Sequence, residues 1–192
     1  MATLAADLGV IRTQDVTRLE LAGQIAAASR LTGVFRLRSG TSSNVYWDKY
    51  RFESRPQLLA EIASALQPML PEAVSHLAGL ELGGVPLATA LSLRTGMPCL
   101  FVRKAAKSYG TMAVVEGEFR PHDRAVVIED VITSGGQVCE SIEEMRKLGL
   151  VVQDALCVID REQGGEANLG KVGCTLRSLF RQQELESLAG AG

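Results

Sequence analysis

The chain has 192 residues, of which 46% are hydrophobic and 22% charged, with a formal net charge of −2. That length supports one compact domain with a real core rather than two. The charge excludes the broad basic field that general nucleic-acid binding needs, and no apolar run approaches the ~20 residues of a membrane-spanning helix.

The first fifteen residues, MATLAADLGVIRTQD, lack the basic and apolar regions of a signal peptide. The four cysteines, Cys99, Cys139, Cys157 and Cys174, form no C-x-x-C pair and have no histidine at ligand spacing, so they read as small core hydrophobes rather than zinc ligands. A cytoplasmic protein with neither nucleic-acid nor membrane partners is expected.

Thr17, followed three residues later by Glu20, opens a helix over TRLELAGQIAAASRL, with Leu19, Ala22, Ile25 and Ala26 on one face. VFRLRSG alternates apolar and polar residues as a half-buried strand does. VYWDKYRF resumes the alternation after the polar turn SGTSSN, and the two predict a hairpin. Pro56 stands at the first turn of a helix over PQLLAEIASALQPML. The rhythm then changes. HLAGLEL, PCLFVR, AVVIED and LVVQDALCVID are short apolar runs, separated by the helical GVPLATALSLRTG, ending at Gly96, and QVCESIEEMRKLG. This alternation predicts βαβ units and a parallel sheet covered on both faces. Lys104 to Pro121 departs from the pattern, with Gly110, Gly117 and several charges. It reads as either an exposed hairpin or a mobile loop, and a long insertion leaving a strand end is more often functional than decorative.

The chemistry concentrates in VVIEDVITSGGQV. Ala125 to Ile128 read as a buried strand, with Glu129 and Asp130 at its carboxyl end, the edge where open α/β sheets bind ligands. Two adjacent carboxylates there can accept hydrogen bonds from vicinal sugar hydroxyls, or hold Mg²⁺ directly or through water. Val131 and Ile132 are expected to turn the chain. Thr133, Ser134, Gly135 and Gly136 then lead into a helix starting near Gln137. Hydroxyls, free backbone N–H groups and a helix N-terminus converge on one point, an anion cradle suited to phosphate. Acids for a ribose followed by a cradle for its phosphate is the layout for a ribose 5-phosphate. Neither G-x-x-x-x-G-K-[ST] nor a strand followed by G-x-G-x-x-G occurs.

This run resembles the 5-phosphoribosyl 1-pyrophosphate (PRPP) motif of type I phosphoribosyltransferases. Three further stretches are similar to orotate phosphoribosyltransferases: FVRKAAKSYGT (Phe101–Thr111) to their catalytic loop, RLRSGTSSNVYWDKYRF (Arg36–Phe52) to their substrate-side segment, and DREQGG (Asp160–Gly165) to Asp-Arg-x-x-Gly-Gly. The motifs run in the family's order from about residue 36 to 165. The resemblance implies an α/β fold with a central parallel sheet flanked by helices. It implies one domain over 1–192, in which about 1–55 and the C-terminal segment form a small hood. It also implies transfer of a phosphoribosyl group from PRPP to orotate, with Mg²⁺, giving orotidine 5′-monophosphate and pyrophosphate on the de novo route to UMP.

Carried over residue by residue, the resemblance places PRPP against Arg103, Lys104, Lys107, Tyr109, Glu129, Asp130, Val131, Ile132, Thr133, Ser134, Gly135, Gly136 and Gln137. Orotate would meet Thr133 and Arg161, whose guanidinium can hold a carboxylate in a fork. Lys104, Lys107, Tyr109 and Asp130 would act in catalysis, with Mg²⁺ held mainly through PRPP, near Asp130. The family assembles as a homodimer whose loop residues serve the neighbouring site. The glycine-bearing segment has the length to exclude water from a cationic sugar centre. This sequence departs from the pattern at Tyr109, where the family carries His: a phenol donates a hydrogen bond but does not change charge near neutral pH. Gly83 and Gly84 stand in the pyrophosphate loop where many relatives carry Lys, so backbone N–H groups are expected there. Arg38 stands where a Lys often does. His76 and His122 are given no role. A transferase for another base, such as a purine, and a non-catalytic PRPP-binding regulator are the alternatives.

Overall fold

The computed structural model describes residues 16–36, 42–104 and 113–190. Arg38, Lys107 and Tyr109 lie outside them.

Helix α1 (Arg18–Ser29) begins at Thr17, whose capping box with Glu20 satisfies two backbone N–H groups. Ala22, Ile25 and Ala26 are buried as expected, but Leu19 is 48% exposed and Leu21 takes its place in the core. Three of the four expected positions are buried, and the face differs only in that Leu21 stands in the core cluster in place of Leu19. Strands β1 (Arg30–Arg36) and β2 (Ser42–Trp47) form a separate antiparallel pair. The hairpin is there, but β1 is largely exposed rather than half-buried, and the second strand ends at Trp47. Lys49 caps a one-turn helix, α2 (Tyr50–Glu53), where the alternation suggested more strand. Phe52 explains the difference: only the turn carries this ring into the core, where it is fully buried.

Helix α3 (Pro56–Leu66) has Pro at its first turn and passes into a 3₁₀ turn, Gln67–Met69. Strand β3 (His76–Leu80) is buried throughout, helix α4 (Gly84–Thr95) ends at left-handed Gly96, and β4 (Cys99–Val102) follows. A short β5 (Val115–Glu116) returns antiparallel beside β4, so the base of the 104–121 segment is a hairpin; residues 105–112 lie outside the described part. Then come β6 (Arg124–Ile132), α5 (Gly136–Lys147), β7 (Val151–Asp160), α6 (Gly165–Lys171), β8 (Thr175–Arg181) and α7 (Gln182–Gly190).

The main sheet has the order β5-β4-β3-β6-β7-β8 and is parallel apart from β5. One core lies under α1, α3 and α4 and includes Ile25, Phe52, Ile62 and Leu87. The other lies under α5 and α6 and includes Val127, Ile142, Met145 and Leu169. A sheet covered on both faces explains why its strands read as nearly continuous apolar runs. Cys157 and Cys174 are buried and Cys99 and Cys139 half-buried, all as free thiols. Strand β6 runs further than its sequence suggests. Val131 pairs with Ile159 and Ile132 with Asp160, so these two residues extend the sheet instead of turning the chain.

Candidate active site

Strand β3 connects to β4 on one side and its other neighbour is β6, so the crossovers diverge at the gap between β3 and β6. That divergence opens a crevice at the carboxyl ends of the strands. Two segments close on it: the β3–α4 loop, which contains a cis peptide between Glu81 and Leu82, and the tip of β6. Gly83 and Gly84 are there because nothing larger fits. A Cβ on Gly83 would lie 1.7 Å from Asp130 Oδ2, and one on Gly84 would lie 2.1 Å from the Ile128 carbonyl oxygen.

The acid pair is divided in its roles. Asp130 has no solvent exposure. Its Oδ1 accepts from the Val131 N–H at 2.5 Å, and Lys49 Nζ lies 2.6 Å from Oδ2. Glu129 is half-buried, and among the described residues its Oε2 has no hydrogen-bond donor. Burial, followed by the charge of Asp130, pushes the Glu129 carboxyl well above the usual range, while Lys49 and Lys104 pull it back. Glu53, 6% exposed on α2, completes the cluster. Burial and a hydrogen bond to Asp130 push it up to about 9. The desolvation cost at Lys49 is outweighed by Asp130 and Glu129, which raise its pKa and keep it an ammonium.

Beyond Ile132 the backbone bends. Thr133 and Ser134 are exposed, and Gly135 adopts φ 73° before α5 begins at Gly136. Gly135 is buried, and a Cβ there would come 2.5 Å from Leu169 Cδ1 of α6. Asn168 Nδ2 donates to the Ser134 carbonyl at 2.9 Å and fixes the loop from the same helix. Gly136 differs: the only nearby atom for an added Cβ is Ser134 Oγ at 4.0 Å. Its open side is the mouth of the cradle. Gln137 turns to Glu140 at 3.3 Å, and the Ile132 side chain is core.

Next to this loop lies a cavity of about 390 Å³, lined by Tyr46, Trp47, Lys49, Val131, Thr133, Ile159, Arg161, Gln182 and Leu185. Thr133 and Arg161, paired in the sequence reading, do share this space. The Arg161 backbone N–H is anchored to the Ile132 carbonyl at 2.8 Å, and its Nε donates to Gln182 Oε1. Its end nitrogens have no protein partner among the described residues, so the guanidinium presents an end-on pair of donors. Arg103 and Lys104 lie elsewhere, at the end of β4. They line a groove of about 360 Å³ against Gln137, Glu140 and Ser141 of α5, and do not enter the cavity. Lys104 reaches the acids only through its charge on Glu129. No group of three or more His, Cys, Asp or Glu among the described residues forms a metal cage.

Sequence reasoning missed Lys49, Glu53, Gln182 and the wall of α7. The only signal for Lys49 was its position after two aromatics in YWDK. Nothing in the local pattern marked Glu53 or Gln182.

Residues 52–176 match the phosphoribosyl transferase domain model. An orotate phosphoribosyltransferase of Nocardioides sp. is 46% identical over 90% of this chain and 96% of its own length. Among solved structures, that of orotate phosphoribosyltransferase from Aeropyrum pernix is 32% identical, with a TM-score of 0.80 over 90% of this chain and 99% of that one. The Mycobacterium tuberculosis H37Rv orotate phosphoribosyltransferase in complex with PRPP is 26% identical, with a TM-score of 0.75 over 88% of this chain and 98% of that one. A switch-point crevice with paired acids, a glycine cradle and an arginine-bearing cavity thus coincides with likeness over nearly the whole length, and the chain belongs to the orotate phosphoribosyltransferase family of the phosphoribosyl transferases.

Proposed function

We propose that this chain transfers the 5-phosphoribosyl group from PRPP to orotate, releasing pyrophosphate and forming orotidine 5′-monophosphate for UMP synthesis. One observation carries the reading: Thr133 and Arg161 line a single cavity that adjoins the Ser134–Gly136 cradle. A planar base bearing a carboxylate fits the end-on guanidinium of Arg161, and a sugar phosphate fits the loop. Thr133, between them, can touch both ligands.

The ribose hydroxyls would meet Glu129, whose Oε2 has no donor among the described residues, and Asp130 beside it, whose Oδ2 is ion-paired with Lys49. Among the described residues no metal cage forms, and Mg²⁺ would come with the pyrophosphate of PRPP, facing Glu129 and Asp130. Bound there, it would neutralise charge on the leaving pyrophosphate. Arg103, Lys104 and Lys107 are the protein's cations for the same charge. Arg103 and Lys104 line a groove beside Gln137 that is separate from the base cavity, and the family likeness points to a homodimer in which such loop residues serve the partner's site. Glycines in the β3–α4 loop bring backbone close to the acids. No helix among the described residues is long and apolar enough to cross a membrane.

The test is to mix the protein with orotate, PRPP and Mg²⁺ and follow the loss of orotate absorbance. Turnover that stops with EDTA and returns with excess Mg²⁺ is expected. Consumption of adenine or guanine instead, or tight PRPP binding without turnover of any base, rejects the reading.

A further inference from the structure

Lys49 is placed unusually for a residue whose only task is to neutralise a buried acid. It caps α2 in the hood, yet its ammonium lies 2.6 Å from Asp130 Oδ2 on the main sheet, and the side chain is one-third exposed. Lys49 lines the base cavity together with Thr133 and Arg161. Asp130 does not depend on Lys49 alone. Its Oδ1 takes the Val131 N–H, and the Glu53 carboxyl of the same short helix neighbours it. Asp130 therefore keeps the Val131 N–H if Lys49 turns away. The cavity has a strong cation at one end, Arg161, whose Nε is already committed to Gln182. An anionic base held by that one fork would leave the rest of its negative charge in a space walled by Tyr46, Trp47, Val131, Ile159 and Leu185. In so apolar a setting a second cation within reach is worth far more than at the surface.

We infer that Lys49 is a specificity-determining residue of the base site, an ammonium held on Asp130 until an anionic base enters and then shared with it. Neutral bases gain nothing from this transfer, so Lys49 separates orotate from uracil-like bases in addition to Arg161. The inference deepens the orotate reading and rests on it. Once a ribose hydroxyl donates to Asp130, Lys49 turns to the base more readily, which links the two substrate sites through one side chain.

The experiment compares wild type, Lys49→Met and Lys49→Arg. It measures KM for orotate, KM for PRPP and the inhibition constant of uracil, with the unfolding midpoint of each variant as a check on the fold. For Lys49→Met the orotate KM should rise about 10- to 100-fold, the loss of one charged hydrogen bond. The uracil constant should move less than about threefold, since no charged contact is lost. Lys49→Arg keeps the charge and should hold the preference for orotate over uracil within about fivefold of wild type. An unchanged orotate KM in Lys49→Met overturns the inference, as does equal weakening of orotate and uracil. If Lys49→Met does not fold, a Lys49→Arg enzyme that loses the preference overturns it equally. A wild-type chain that consumes no orotate rejects the proposed function itself, a different outcome from an active wild type with an indifferent Lys49.

Discussion

The phosphate cradle and the base cavity adjoin at one edge of one sheet, and they are made of different material. The cradle is backbone from a single run, Thr133 to Gln137, braced from below by α6 through Leu169 and Asn168. The cavity is side chains from four places: the β2–α2 turn, the tip of β6, the tip of β7 and the start of α7. Backbone donors cannot be exchanged by substitution, so such a cradle is fixed once its glycines are. A side-chain cavity can change its ligand one residue at a time. On the proposed reading, the sugar phosphate falls to the part of the molecule least able to vary, and the base to the part most able to.

Removing the cavity's fixed cation breaks the comparison hardest. Arg161→Ala should weaken orotate binding by ~2–4 kcal/mol, because a buried charge pair loses one member. Isothermal titration with each ligand checks this: equal losses for orotate and PRPP would mean the two sites are not separate. Gly135→Ala attacks the cradle's scaffold. The left-handed φ of 73° and the 2.5 Å approach to Leu169 should together cost ~2 kcal/mol of unfolding free energy, read by denaturant melts. Gly136→Ala attacks its mouth and sharpens the contrast. An added Cβ meets only Ser134 Oγ at 4.0 Å, so the unfolding midpoint should hold while the KM for PRPP rises by ~10-fold, one hydrogen bond's worth. The smallest effect concerns the packing of α1 against α7. Arg18 spans to Glu184 at 2.7 Å on an exposed face and stacks 4.5 Å over the Phe180 ring, and Arg18→Ala should cost roughly 1 kcal/mol or less.

The pH dependence of stability tests the acid cluster separately. The carboxyl of Glu53 is raised in the folded chain from an ordinary 4.5 to about 9, so between those values the folded state binds more protons than the unfolded one. Its contribution is complete below pH 4.5 and is lost as pH rises towards 9. Unfolding free energy should decline across that window, and Glu53→Gln should flatten the decline. An unchanged slope in urea melts would mean Glu53 is not the proton's holder.

The cradle could be read from the sequence because everything it needs is adjacent: an apolar strand, two acids, hydroxyls, two glycines and a helix. The parallel sheet was legible for the same reason, each strand being one short apolar run. What could not be read depends on distant contacts. The alternation in VYWDKYRF continues past Trp47, but Phe52 buries itself by turning into α2, and tertiary burial overrides local alternation. Leu19 and Leu21 are equally apolar, and only the packing of distant elements decides which is covered. Val131 and Ile132 extend β6 because β7 offers partners at Ile159 and Asp160. Lys49, Glu53 and Gln182 carry no local signature, since each gains its meaning from a neighbour far along the chain.

The wall that α7 gives the base cavity has a consequence for the order in which the molecule becomes itself. Gln182 and Leu185 are translated long after Trp47 and the whole cradle. A nascent chain that has just finished α6 has the Thr133–Gln137 loop and its braces, Asn168 and Leu169, yet Arg161 has no Gln182 to steady it and the cavity lacks a side. During synthesis, competence to hold the donor precedes the ability to tell one acceptor from another.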